Sequence, residues 1–119
     1  MLRIPNEGEE VYAEGLDIKM GSGTPATMVN LSRLGVPVRF CTFLGKDIFS
    51  DIVETELKKS GVLYTNLYEG SCIPETVSST IITENDRTFV SYRDDVPVTN
   101  GILDVIYRQC SSANIVAMQ

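Results

Sequence analysis

The chemistry this chain can support is concentrated in one short run, Gly21-Ser22-Gly23-Thr24-Pro25-Ala26-Thr27. Two glycines around a serine let a ligand come close to the main chain, and the run feeds a helical pattern that Gly35 closes. The positive end of a helix dipole at that point favours an oxygen-rich or anionic ligand. Thr24 is placed to cap the helix, and Pro25 to fill its first position. The same pattern fits a plain turn before a buried helix, and local spacing does not separate the two readings. A second polar group, Tyr92-Arg93-Asp94-Asp95, ends a strand-like stretch. Its arginine suits a planar carboxylate, whereas the two aspartates fit a solvated turn.

Several chemistries are excluded. The 119 residues contain no histidine, so this chain alone builds no Ser–His–Asp triad, no Cys–His dyad and no histidine-ligated zinc site. Cys41, Cys72 and Cys110 are odd in number, widely spaced and free of any CxxC pair. That speaks against a disulfide framework and fits a reduced, cytoplasmic setting. Cys41 has apolar neighbours and no cation beside it, so a core thiol is expected. A net charge of −6 without a basic cluster argues against nucleic acid or an anionic membrane as partner. No apolar run reaches membrane-spanning length. A small anionic ligand stays compatible, since backbone amides and one or two cations suffice to hold it. No residue is assigned a catalytic or metal-ligating role.

The elements that position these residues follow from periodicity. After Gly8 come two short strand candidates; in the second, Leu16, Ile18 and Met20 alternate with Asp17 and Lys19. The Gly21–Gly35 loop and helix follow, then an apolar run from Val38 to Leu44 that predicts a buried strand ending at Gly45. Asp47 caps a second predicted helix whose Phe49, Ile52, Val53 and Leu57 share a face, with Lys58 and Lys59 near its end and Gly61 as its stop. Helix, strand, helix is the rhythm of an α/β sheet. A short strand is expected near Asn66 to Tyr68. Thr76 to Thr83 and Thr88 to Tyr92 are β-branched and aromatic, and the polar turn Glu84 to Arg87 between them predicts a hairpin. A third helix is expected over Asn100 to Gln109, and a buried strand over Asn114 to Met118. A chain ending just past an apolar strand is expected to be a piece of something larger.

Four features in order make the sequence resemble the N-terminal portion of the PfkB-type, or ribokinase-like, sugar kinases. They are the PxxGE lead-in at Pro5 to Glu9, the loop and helix GSGTPATMVNLSRLG, the Leu44-Gly45-Lys46-Asp47-Ile48-Phe49-Ser50 segment closed by Gly61-Val62, and the hairpin from Ile81 to Arg93 with its RTFxxYR pattern. The resemblance implies an α/β fold, part of a mostly parallel sheet with flanking helices plus a small β lid. It places lid strands at about 9–20 and 76–93 and α/β core at 21–68 and 100–119, together one partial domain. It implies ATP-dependent phosphorylation of a hydroxymethyl group on a sugar or nucleoside, with Mg2+ accompanying the nucleotide.

By the same resemblance, Gly21, Ser22 and Gly23 offer amides and a hydroxyl to sugar oxygens, and Tyr92 and Arg93 form the lid corner that touches the sugar or an acid group on it. The family's loop has a second glycine where Ser22 stands, and its sugar-holding asparagine falls here on Ala26 or Thr27. Thr27 is the stand-in, with Asn30 one helical turn further on as a partial substitute. Ser50 stands where the family often has glycine. The family's substrate-binding aspartate and its GAGD-type catalytic segment match nothing in this sequence, so the chain by itself is expected to be inactive, with the ATP and Mg2+ residues outside it. The alternative is a non-catalytic module that binds sugar or pairs its lid strands in a homodimer, since exposed strand edges recruit other strands.

Overall fold

Four consecutive elements carry nearly all the burial in this computed structural model, which describes residues 2–21 and 23–118. They are α1 (Thr24–Arg33), β1 (Arg39–Thr42), α2 (Ile48–Lys59) and β2 (Leu63–Asn66). β1 and β2 pair in parallel, with Arg39 opposite Leu63 and Thr42 opposite Asn66. Helix α2 is therefore the crossover of a β–α–β unit. Met28 and Val29 from α1, Phe40 from β1, Leu57 from α2 and Val62 form one cluster, with Met20, Leu31, Val38, Val53 and Tyr64 packed around it. Leu57 has no exposed surface at all. It belongs to the apolar face that the sequence pattern predicts for this helix.

Both helices stop in the same way. Gly35 (φ +80°) and Gly61 (φ +71°) take the left-handed conformation that favours glycine. In α1, the Gly35 and Val36 amides return to the Ser32 and Leu31 carbonyls; in α2, those of Gly61 and Val62 return to Lys58 and Leu57. Each Gly-Val pair thus closes a Schellman turn and then starts the next strand-bound segment. The Ser32 hydroxyl donates to the Ser60 carbonyl at 2.8 Å, and Arg33 pairs with Glu56 at 2.7 Å, so the two helix ends are also tied to each other.

The remaining elements are β3 (Val77–Ile82), β4 (Arg87–Tyr92) and α3 (Asn100–Cys110). β3 and β4 form a separate antiparallel hairpin, with Val77 opposite Tyr92 and Ile82 opposite Arg87. Its turn is Thr83 to Asp86, closed by the Thr83 amide on the Asp86 carbonyl at 2.8 Å. Arg87 is consequently a strand residue rather than a turn residue, and its guanidinium lies over the Phe89 ring at 5.6 Å. Thr99 caps α3 through its hydroxyl, and Arg39 donates to Gln109 at 3.3 Å, tying that helix to β1. The radius of gyration is 17.3 Å, against about 13–14 Å for a compact domain of this length. The excess reflects elements standing away from the core.

The parallel sheet among the described residues is thus two-stranded, smaller than the mostly parallel sheet expected. Three predicted strands, two within residues 9–20 and one at 114–118, do not form among the described residues. Residues 9–20 and 114–118 join no ladder, and Leu16 and Ile115 are 90% and 87% exposed. Apolar alternation marks a segment suited to a sheet, but a strand forms only when its amides and carbonyls find partners. The start of α1 also differs from expectation. Gly23, at φ 106° and ψ −153°, holds the cap position, so Thr24 is the first helical residue and Pro25 the second. That backbone conformation is open to glycine and closed to threonine.

Candidate functional site

The larger of two concavities among the described residues lies at the carboxyl ends of β1 and β2, where open α/β sheets place their ligands. It encloses about 590 Å³ between the segment from Leu44 to Asp47 and the loop from Tyr68 to Ile73, with Asn66 at its base. Asn66 extends the parallel ladder past the last strand residues. Its Oδ1 accepts from the Leu44 and Tyr68 amides at 2.9 and 3.0 Å, and its Nδ2 donates to the Leu44 carbonyl at 2.8 Å. The Tyr68 hydroxyl accepts from the Cys72 amide and donates to the Cys72 carbonyl, both at 2.9 Å, curling the 68–72 loop into a wall. The Cys72 thiol beside it is first among the causes that raise the Tyr68 phenol above its ordinary range.

The floor of this cavity is built on the start of α2. Asp47 caps the helix by accepting from the Phe49 and Ser50 amides at 3.0 and 2.9 Å. Ser50 is 1% exposed, and its hydroxyl accepts from the Gly45 amide at 2.7 Å and lies 2.8 Å from Asp47 Oδ2. It also bonds Glu75 Oε1. Gly45 has no room for a side chain: a Cβ there would lie 2.6 Å from Asp47 Oδ2 and 2.9 Å from Pro74 Cδ. The structural reading of Gly45 and Asp47 as strand-end glycine and helix cap is what the geometry shows.

A second groove of about 400 Å³ runs between residues 18–20, α1 and α2, and Asn30, Arg33 and Glu56 lie along it. The residues singled out from the sequence are distributed as follows. Gly21 is exposed, with nothing within 4 Å of where a Cβ would sit, so its backbone is open to approach. Ser22 lies outside the described residues. Gly23 and Thr27 are brought together: the Thr27 amide and hydroxyl both donate to the Gly23 carbonyl, at 3.1 and 3.2 Å. Thr27 and Asn30 share the exposed face of α1, opposite the buried Met28 and Val29. Tyr92 donates to Asp94 Oδ2 at 3.4 Å, and partial burial followed by the Asp94 charge pushes its phenol up. Arg93 is exposed. Among the described residues, neither of these two concavities is lined by Gly21, Gly23, Thr27, Tyr92 or Arg93.

Sequence reasoning gave Asn66, Tyr68, Ser50 and Glu75 no role in a site, although it noted Ser50 as a departure from a common family glycine. The signal available was positional, because they flank the ends of two predicted strands, where α/β sheets bind ligands. Cys41 behaves as expected of a partly buried thiol. Burial pushes its pKa up, with the Cys110 thiol adding to the effect, and all three cysteines are free.

The described residues do not fit a nucleotide with its Mg2+. They contain no group of three acidic, cysteine or histidine side chains able to hold a metal. The start of α2, the best-formed helix N-terminus, is closed by the Asp47 carboxylate, with Asp51 also in its first turn, so it repels phosphate. No helix of the described residues is long and apolar enough to cross a membrane. Searches of curated proteins and of solved structures return no significant match to the chain. Residues 3–118, by contrast, match the pfkB family carbohydrate kinase profile, nearly end to end. The chain belongs to the pfkB family of carbohydrate kinases.

Proposed function

We propose that this chain supplies the sugar side of an ATP-dependent kinase that phosphorylates a sugar or related small molecule, and that it is inactive alone. The observation that carries the reading is the family match over residues 3–118. In that reaction the γ-phosphoryl of ATP passes to a hydroxyl oxygen of the acceptor, releasing ADP and the hydroxyl proton. The chain's own part is to bind and orient the acceptor. The open backbone at Gly21, the Gly23–Thr27 turn and Asn30 on the same helix face as Thr27 form one bank of hydrogen-bonding groups, to which Ser22 is assigned by the family resemblance alone. Tyr92 and Arg93, at the foot of the hairpin, form the lid corner. ATP and Mg2+ are held by residues other than those described here, since the helix N-termini and carboxylates present do not fit them. Three free cysteines support a reduced, cytoplasmic setting.

Two measurements on the purified chain test this. Thermal shift against a panel of pentoses, hexoses, sugar acids and nucleosides is expected to show a rise with at least one of them. Thr27→Ala and Asn30→Ala together are expected to abolish it. No rise with any of the panel removes the sugar-binding assignment. ATP consumption above the buffer rate with any acceptor overturns the inactivity of the isolated chain.

The hairpin supports a second reading, a homodimer formed through the lid strands. Val90 is 70% exposed, and Phe89 and Tyr92 are about half exposed. Exposed β-edges carrying apolar residues favour pairing with another strand. Light scattering after size exclusion decides it: a monomer at every concentration rules the dimer out.

A further inference from the structure

The hairpin and the β–α–β half are joined by little packing, since neither β3 nor β4 lies extensively on a helix or on the parallel pair. Something else must set the angle between them. A polar contact joins them two residues before β3, where Glu75 Oε1 bonds the buried Ser50 hydroxyl at the start of α2. Around this bond the two parts are seated tightly. Pro74 Cδ and the Cys72 carbonyl would lie 2.9 and 3.3 Å from any Cβ on Gly45, and the Gly45 amide is itself held by Ser50 at 2.7 Å. The same loop, through Cys72 and Ile73, walls the strand-end cavity.

We infer that Ser50 and Glu75 are a positioning pair that pins the foot of the hairpin beside the wall of the strand-end cavity, acting through the Gly45 backbone and the loop from Cys72 to Glu75. Ser50 suits the role because it touches both sides at once. Its hydroxyl meets Gly45 and Asp47 on the β–α–β side and Glu75 on the hairpin side. The other Glu75 oxygen, Oε2, is buried and has no hydrogen-bond partner among the described residues. Burying an unsatisfied carboxylate oxygen opposes the bond to Ser50. The pin is therefore releasable, and a hydrogen-bond donor arriving at this wall would compete for Glu75. The inference rests on the reading of the hairpin as a lid, but its test needs no sugar and no ATP.

The test uses the full chain with cysteine-independent spin labels at Asn85 in the hairpin turn and Lys59 at the end of α2. Their distance distribution is measured by pulsed dipolar spectroscopy. Ser50→Ala and Glu75→Met, which keeps the side chain's length while removing its acceptor oxygens, are each expected to broaden it roughly twofold, and the double variant no more than either single change, as for two residues acting through one contact. An unchanged distribution in either single variant, or broadening that adds in the double, overturns the pin. Circular dichroism establishes that each variant keeps its helices. If Ser50→Ala unfolds, Glu75→Met, which removes the acceptor without touching α2, decides the question alone. A failed sugar screen with a broadened distribution would sink the lid assignment while leaving the pin intact.

Discussion

The β–α–β half and the hairpin half are similar in composition and opposite in burial. Among the described residues, the six buried hydrophobic ones all lie from Met28 to Val62, contributed by α1, β1, α2 and the turns around them. β4 has no buried residue, and α3 buries none of its side chains although it is amphipathic. The difference shows what hydrophobic pattern does and does not decide. Pattern selects the face an element will bury if a partner arrives, whereas topology decides whether one does. The β–α–β unit brings its own partner, because the crossover helix lands on the strands it connects. The hairpin pairs only with itself.

The largest expected effect contrasts the two halves directly. Leu57→Ala removes the one apolar side chain with no exposed surface, from the middle of a cluster with few other members. A loss of about 2–5 kcal/mol is expected, enough to unfold much of the population. Phe89→Ala, on the exposed hairpin, is expected to change stability by no more than about 0.5 kcal/mol. Urea denaturation followed by far-UV circular dichroism measures both. Equal losses would mean that the hairpin belongs to the same cooperative unit, and the contrast would collapse.

The legible parts of the molecule were those where local chemistry and tertiary placement agree. Helix α2 was readable from cap to stop, since Asp47, the Phe49–Leu57 face and Gly61 each act within a few residues of themselves. The hairpin was readable because its two strands are each other's partner. The segment 9–20 and the segment 114–118 have strand-like patterns but no ladder, and a sequence does not state which edges will be free. The loop at Gly21–Thr27 was recognisable as a turn into a helix, yet Gly23 rather than Thr24 takes the cap, because the choice depends on one positive φ. At the strand-end cavity the groups came from four places in the chain, Gly45, Ser50, Asn66 and Glu75. No local spacing connects those residues.

Two glycines sharpen the contrast at smaller scale. Gly61 and Gly8 have nearly the same backbone, φ +71° and +76°, and each has open space around a notional Cβ, the nearest atom to Gly61 being Ser32 Oγ at 3.9 Å. Substitution by alanine therefore strains both turns equally, by about 1–2 kcal/mol for a left-handed residue. At Gly61 the turn closes α2 on Leu57, so the strain falls on the core and the denaturation midpoint drops accordingly. At Gly8 the turn can open locally without disturbing any helix, so a change under about 0.5 kcal/mol in global stability is expected. Equal midpoints for the two variants would show that residues 2–21 are bound to the core more firmly than the contact at Met20 implies.

The smallest effect concerns that same N-terminal turn, where protonation acts without moving the fold. Glu9 accepts from both Arg3 guanidinium nitrogens, and its Oε2 also accepts from the Asn6 amide at 3.0 Å. The Arg3 bond, and after it the Asn6 amide, hold the Glu9 carboxyl at about 2, below its ordinary 4.5. A depressed carboxyl favours the folded turn when ionised. The contribution is therefore complete above pH 4.5 and disappears as pH falls through about 2. NMR titration of the Glu9 side-chain carbon and the Asn6 amide is expected to give a shared midpoint near the lower value, and Arg3→Ala is expected to move both upward toward 4.5. Because the pair is exposed and screened by solvent, the same titration should leave the helix signal of α1 and α2 nearly flat. A helix loss that tracks the Glu9 midpoint would mean that the lead-in is part of the core, and the division between the two halves would then have to be drawn elsewhere.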